Sequence, residues 1–152
     1  MNQDPGRPGP DVPPLGLLLR LAHTRASKTF SEALRPYGIE GRHFAVLMTL
    51  GGVGAQTQRQ LIDQLGSDKS SMVRMIDDLE DRGLAIRGPA EGDRRAHAVE
   101  LTDAGRETLA ATEKVAREVT AQLLVCLEPD EQATLTALLA RFVAGGPHPK
   151  VE

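Results

Sequence analysis

The sequence predicts a mainly α-helical domain: four helices, a β-hairpin, then two C-terminal helices. Three observations carry this. Apolar residues recur at three- and four-residue spacing in six segments. A single short stretch, His97-Ala98-Val99-Glu100-Leu101, alternates instead. Leu occurs 20 times against only four aromatic residues, Phe30, Tyr37, Phe44 and Phe142. Leu and Ala lose little rotamer freedom in a helix, so this bias favours helices.

Each element has its own signal. Residues 1–14 hold five Pro and two Gly, and are expected to form a mobile tail. From Leu15, the residues Leu18, Leu19, Ala22, Ala26, Phe30, Ala33 and Leu34 mark one helical stripe, stopped by Pro36 and Gly38. A second helix fits Gly41–Leu50 through Phe44, Leu47 and Leu50, with Gly51, Gly52 and Gly54 breaking the chain. Thr57-Gln58-Arg59-Gln60 matches a capping box, and Leu61, Ile62 and Leu65 line the helix it opens until Gly66. Ser67 or Asp68 caps the next helix, Asp68–Arg82, whose Met72, Met75, Ile76 and Leu79 form one stripe. After Gly83 the period switches. Leu84–Arg87 and His97–Leu101 read as two strands around a Gly/Pro turn, a hairpin with a loop of about six to eight residues. Thr102-Asp103 caps a long helix running to Leu127. Pro129, Asp130 and Glu131 start the last one, with Leu135, Leu138, Leu139 and Phe142 facing inward. The expected organisation is a tail over 1–14, one domain over 15–145 and a flexible tail over 146–152.

Composition narrows the function classes. The chain has 152 residues and 18 Lys+Arg against 21 Asp+Glu, a net charge of −3. This charge gives no prior toward nucleic acid. One Cys excludes an internal disulfide framework and a Cys-rich zinc site. No apolar run approaches the ~20 residues that span a bilayer, and no secretory signal opens the chain, so no membrane partner and a cytoplasmic address are expected. His23, His43, His97 and His148 are too scattered to predict a metal site. Phosphate loops, nucleophile elbows and zinc-protease motifs are missing, so neither an enzyme nor a cofactor is expected. The acids Asp77, Asp78, Glu80 and Asp81 read as solvated charge. Cys126, in a Leu-rich setting, reads as a buried structural thiol.

Two short helices joined by a tight Gly turn and followed by a hairpin describe a winged helix-turn-helix. An α-helix fits the major groove, and its N-terminal side chains reach base edges. With Met72, Met75, Ile76 and Leu79 turned to the core, Lys69, Ser70, Val73 and Arg74 lie on the outward face. Asp93-Arg94-Arg95 ends the Gly/Pro loop. A salt bridge from Asp93 to Arg95 would hold one guanidinium while the other enters a narrow minor groove.

The run Asp93-Arg94-Arg95, followed by Leu101-Thr102-Asp103-Ala104-Gly105, resembles the wing and helix start of the MarR family of winged helix-turn-helix regulators. Ser70–Leu84, with Arg74, Leu79-Glu80 and Gly83-Leu84, looks like that family's recognition helix, and Gln58–Gly66 is similar to its supporting helix. Ile62 stands where the family commonly has Ala. The likeness spans about Leu15–Ala144. It implies a homodimer whose first and last helices intertwine, about 15–35 and 103–145 here, with a DNA-binding part at about 55–102. It also implies a pseudo-palindromic double-stranded operator and a small, often phenolic, effector that releases the DNA.

On that reading Lys69, Ser70, Val73 and Arg74 read the major groove. Gln58 and Arg59 hold the backbone, and Arg94 and Arg95 serve the wing with Asp93 positioning them. His23, Phe30, His43 and Phe44 are candidates for an effector pocket between the first, second and fifth helices. Leu17, Leu21, Leu124 and Val125 are apolar surface in excess of one thin domain and point to a second copy. One charge count favours an alternative, a winged helix used for protein–protein assembly. From Thr57 to Arg95 there are seven Lys+Arg and eight Asp+Glu. Arginines at the wing tip favour DNA.

Overall fold

Several helices open at side-chain caps and close at glycines that adopt a positive φ. The computed structural model describes the backbone of residues 12–90 and 93–145, with side chains for all of these except 90 and 93–96. Residues 1–11 of the tail expected over 1–14, and the tail expected over 146–152, lie outside the described residues. The chain runs α1 (Leu15–Leu34), one 3-10 turn (Arg35–Tyr37), α2 (Gly41–Val53), β1 (Gln56–Thr57), α3 (Gln58–Leu65) and α4 (Lys69–Asp81). It continues through β2 (Ala85–Ala90), β3 (Asp93–Leu101), α5 (Asp103–Leu123) and α6 (Pro129–Ala144). This is the mainly helical, winged helix-turn-helix order read from the sequence. Two compact units form, the first ending at Ala116 and the second beginning at Arg117.

In the first unit, Leu34, Val46, Leu47, Leu61, Met72, Ile76, Leu79 and Val99 are buried together. The α4 stripe is therefore the inward face that its spacing predicts. Ile62 packs, half-buried, against this core. The three strands form an antiparallel sheet in the order β1-β3-β2, with Gln56 opposite Val99 and Thr57 opposite Ala98. Among the described residues, no helix is long and apolar enough to cross a membrane.

Several boundaries differ from expectation. Gly51 and Gly52 lie inside α2, and the break comes only at Gly54, with φ +80°. Packing explains Gly51, since a Cβ there would meet Leu109 Cδ2 at 2.3 Å. The hairpin strands reach Ala90 and Asp93, so Gly88 and Pro89 belong to β2 rather than to a long loop. Pro is tolerated because β2 is an edge strand. The pairing steps from Pro89–His97 to Ala90–Asp93, a bulge that leaves residues 94–96 of β3 without opposite numbers.

In the second unit, α5 stops at Leu123, four residues short of the expected end. Gln132 from α6 donates through Nε2 to the carbonyls of Leu124 (3.1 Å) and Leu127 (2.9 Å), satisfying acceptors a helix end leaves open. Cys126 falls in this turn and is exposed, so it is not the buried thiol expected. Leu138, Leu139 and Phe142 are also exposed rather than inward-facing. Among the described residues of α6, none is fully buried.

Candidate nucleic-acid interface

The helix pair is fixed by side-chain caps. Gln60 N donates to Thr57 Oγ1 (3.3 Å) while Thr57 N donates to Gln60 Oε1 (2.8 Å), the reciprocal bonds of a capping box. Gly66, at φ +61°, ends α3 in the left-handed conformation. Asp68 then caps α4, accepting from Ser71 N (2.9 Å) and Ser71 Oγ (2.6 Å). Those hydrogen bonds hold the Asp68 carboxyl below its usual pKa and keep it ionised at the positive end of the helix.

The outward face of α4 is open to solvent. Lys69, Ser70 and Arg74 are exposed and Val73 is half-exposed. On α3, Arg59 is exposed and Gln58 half-buried. None of Arg59, Lys69 and Arg74 has an ion pair among the described residues.

Three of the four acids in the second half of α4 have partners within the molecule, while Asp77 and Asp78 stay about half exposed, in keeping with solvated charge. Arg87, on β2, donates through Nη2 to Asp77 Oδ1 (2.6 Å), through Nη1 to Glu80 Oε2, and through its backbone N to Glu80 Oε1 (2.8 Å). Asp78 lies with Oδ2 3.3 Å from His43 Nε2 on α2. Asp81 remains exposed. The guanidinium of Arg82 donates to the Gly38 carbonyl, so this cation is also committed internally.

The root of the wing is locked to the end of α4. Gly83, at φ +68°, lets its own N reach the Glu80 carbonyl (2.8 Å) and Leu84 N reach the Leu79 carbonyl (2.8 Å). Thr102 Oγ1 donates to the Gly83 carbonyl (2.6 Å) and accepts from Gly105 N (3.0 Å), capping α5. Gly105 allows the approach, because a Cβ there would stand 1.9 Å from the Leu84 carbonyl oxygen. The run Leu101-Thr102-x-x-Gly105 is therefore a clasp between β3, α5 and the turn after α4. Asp93, Arg94 and Arg95 start β3, but their side chains lie outside the described residues.

A separate groove of about 560 Å³ runs between α1 and the start of α2, lined by His23, Ala26, Ser27, Phe30, Ser31, Glu40, Gly41, Arg42 and Phe44. It holds three of the four candidate effector residues, and none of its lining comes from α5. His43 is the exception. Its side chain is 1% exposed and turns away from the groove toward α4. The reason is its place three residues after Glu40, where Nδ1 accepts the Glu40 N–H (3.1 Å) that opens α2.

Sequence reasoning missed Arg87, Asp78 and the buried role of His43. The spacing Glu40-x-x-His43 was the available signal for His43. A lone Arg on the first wing strand, facing an acid-rich helix end, was the signal for Arg87.

Comparison with known proteins agrees with this geometry. The MarR family matches residues 37–96. The chain is 33% identical to a probable transcriptional regulator from Pseudomonas aeruginosa, covering 85% of this chain and 96% of that one, with a TM-score of 0.78. It is 33% identical to the transcriptional repressor CouR bound to a 23-mer DNA duplex, covering 86% and 92%, with a TM-score of 0.79. A mutant of MarR from E. coli complexed with operator DNA is 28% identical over 85% of this chain and 93% of that one, with a TM-score of 0.77.

Proposed function

Because this chain belongs to the MarR family of transcriptional regulators, we propose that it is a sequence-specific repressor that binds a pseudo-palindromic operator as a homodimer and is released by a small effector. One observation carries the DNA-binding part. The cations Lys69 and Arg74 stand free on the outward face of α4, while Asp77, Asp78 and Glu80 are held by Arg87 and His43. Exposed cations on that face favour DNA over the alternative, a protein-assembly module. Ser70 and Val73 share the free face and would meet a base edge and a thymine methyl. Gln58 and Arg59 would hold phosphate, and Arg94 and Arg95 would serve the wing, one guanidinium held by Asp93 while the other enters the minor groove.

One module with so few contacts binds weakly. Two copies on a two-fold axis read half-sites about 34–36 Å apart and double the contacts. The apolar residues left exposed on α1 and α6 supply the surface for that pairing. The groove lined by Phe30, Phe44, His23 and Arg42 among others suits a small aromatic effector carrying an anionic or phenolic group.

The test is binding to the DNA upstream of the chain's own gene. Arg74→Ala and Arg95→Ala are each expected to weaken it about tenfold or more, since a good base or groove contact contributes about 1–3 kcal/mol. Lys69→Ala is expected to lower the salt slope by about one per subunit. If Arg74→Ala and Arg95→Ala both bind like the parent at moderate salt, the assigned contacts are wrong.

A further inference from the structure

We propose that the His43–Asp78 hydrogen bond transmits occupation of the α1–α2 groove to the recognition helix α4, a role that rests on the effector reading above. Residues 40–44 form a two-sided strip. Glu40, Gly41, Arg42 and Phe44 line the groove. His43 faces the other way, buried, with Nε2 3.3 Å from Asp78 Oδ2. Asp78 lies one helical turn beyond Arg74, on the helix that carries the free cations.

The ring's two nitrogens have fixed roles. Nδ1 accepts the Glu40 N–H at 3.1 Å, so it carries no proton. The proton of the neutral imidazole therefore sits on Nε2 and is donated to Asp78. One rigid ring thus bonds the backbone at the groove wall to a side chain of α4. Apolar packing tolerates small slides, but a hydrogen bond is directional and an unpaired buried N–H is costly. An occupant that displaces Glu40–Arg42 must either carry α4 with it through this bond or break the bond. Both outcomes change the placement of Arg74.

The experiment fills the groove permanently, with Ser27→Trp standing in for an effector. Operator affinity of the full chain is measured with and without Ser27→Trp in three backgrounds: parent, Asp78→Asn and Asp78→Ala. Asparagine at 78 keeps an oxygen that accepts the Nε2 proton; alanine does not. The tryptophan is expected to weaken operator binding at least tenfold in the parent and in Asp78→Asn, and less than threefold in Asp78→Ala. Equal weakening in all three would overturn the link and leave the groove reading intact. No weakening in the parent would overturn the groove reading and the link together. Should Asp78→Ala fail to fold, the His43 Nε2–H proton resonance decides between parent and Ser27→Trp. It is expected to move, and an unchanged resonance alongside weakened operator binding refutes the link.

Discussion

A Cβ on Gly105 would overlap the Leu84 carbonyl oxygen, whereas one on Gly51 would meet only the tip of the Leu109 side chain. Both glycines sit in helices, where Ala is intrinsically favoured by about 1 kcal/mol. Gly105→Ala forces backbone apart and is expected to destabilise by about 3 kcal/mol, the upper range for overpacking; Gly51→Ala can be relieved by a rotamer change and costs about 1 kcal/mol or less. Urea unfolding midpoints of the two variants test the contrast, and equal losses would contradict it. His43 gives a pH dependence. Burial holds its pKa below the ordinary 6.5, and Arg42 lowers it too, against the raising effects of the Asp78 hydrogen bond and the Glu40 and Asp78 charges. The unfolded chain therefore takes up this proton first as the pH falls. Stability from this site is full above about pH 6.5 and declines as pH drops from there through the lower folded-state pKa. Unfolding curves at a series of pH values from 7.5 to 5 are expected to show the decline. His43→Gln, which keeps an acceptor for the Glu40 N–H, is expected to flatten it, and an unaltered slope would rule the site out.

Arg87 joins two elements, and its loss tests whether the wing is held by the recognition helix. Its guanidinium bridges the exposed Asp77 and the partly buried Glu80. Arg87→Ala is expected to cost about 1.5–3 kcal/mol, the range for hydrogen bonds to charged groups, and to weaken operator binding by loosening β2. Arg87→Lys is expected to restore little, because an ammonium lacks the planar fork that reaches both carboxylates. Full recovery with Lys would mean that charge alone matters. This pairing marks where sequence reading stops. The helices were legible because burial imposes a local period: Met72, Met75, Ile76 and Leu79 announce the inward face of α4 and, by subtraction, the outward Lys69, Ser70, Val73 and Arg74. The caps at Thr57 and Asp68 were legible for the same reason, since donor and acceptor lie three residues apart. β1 was not, because two residues become a strand only through Val99 and Ala98, some forty positions on. Nor were the internal partners of the acids, which belong to α2 and β2. A charge count along the chain registers Asp78 but not the imidazole that occupies it.

At the scale of the whole molecule, the apolar surface decides the assembly. α1 exposes Leu15, Leu17, Leu18 and Leu21 and buries only Leu34 fully, while α6 exposes Leu138, Leu139, Phe142 and Val143 and buries no residue. Two helices of 20 and 16 residues with so little cover are not stabilised by their own units alone. Burying a Leu or Phe contributes about 1.5–3 kcal/mol, so a handful of such residues matched against a second copy favours association strongly. The parent is therefore expected to sediment as a dimer at micromolar concentration. Leu139→Glu combined with Phe142→Glu places two charges on that surface and is expected to give monomer. The monomer keeps α4 and its cations, yet its operator affinity should fall by orders of magnitude, because only one half-site is engaged. Its salt dependence should drop to about half the parent's slope, since counterion release scales with the phosphates neutralised. A monomeric parent, or a monomeric variant that keeps the parent's slope, would show that one copy of α4 carries recognition alone.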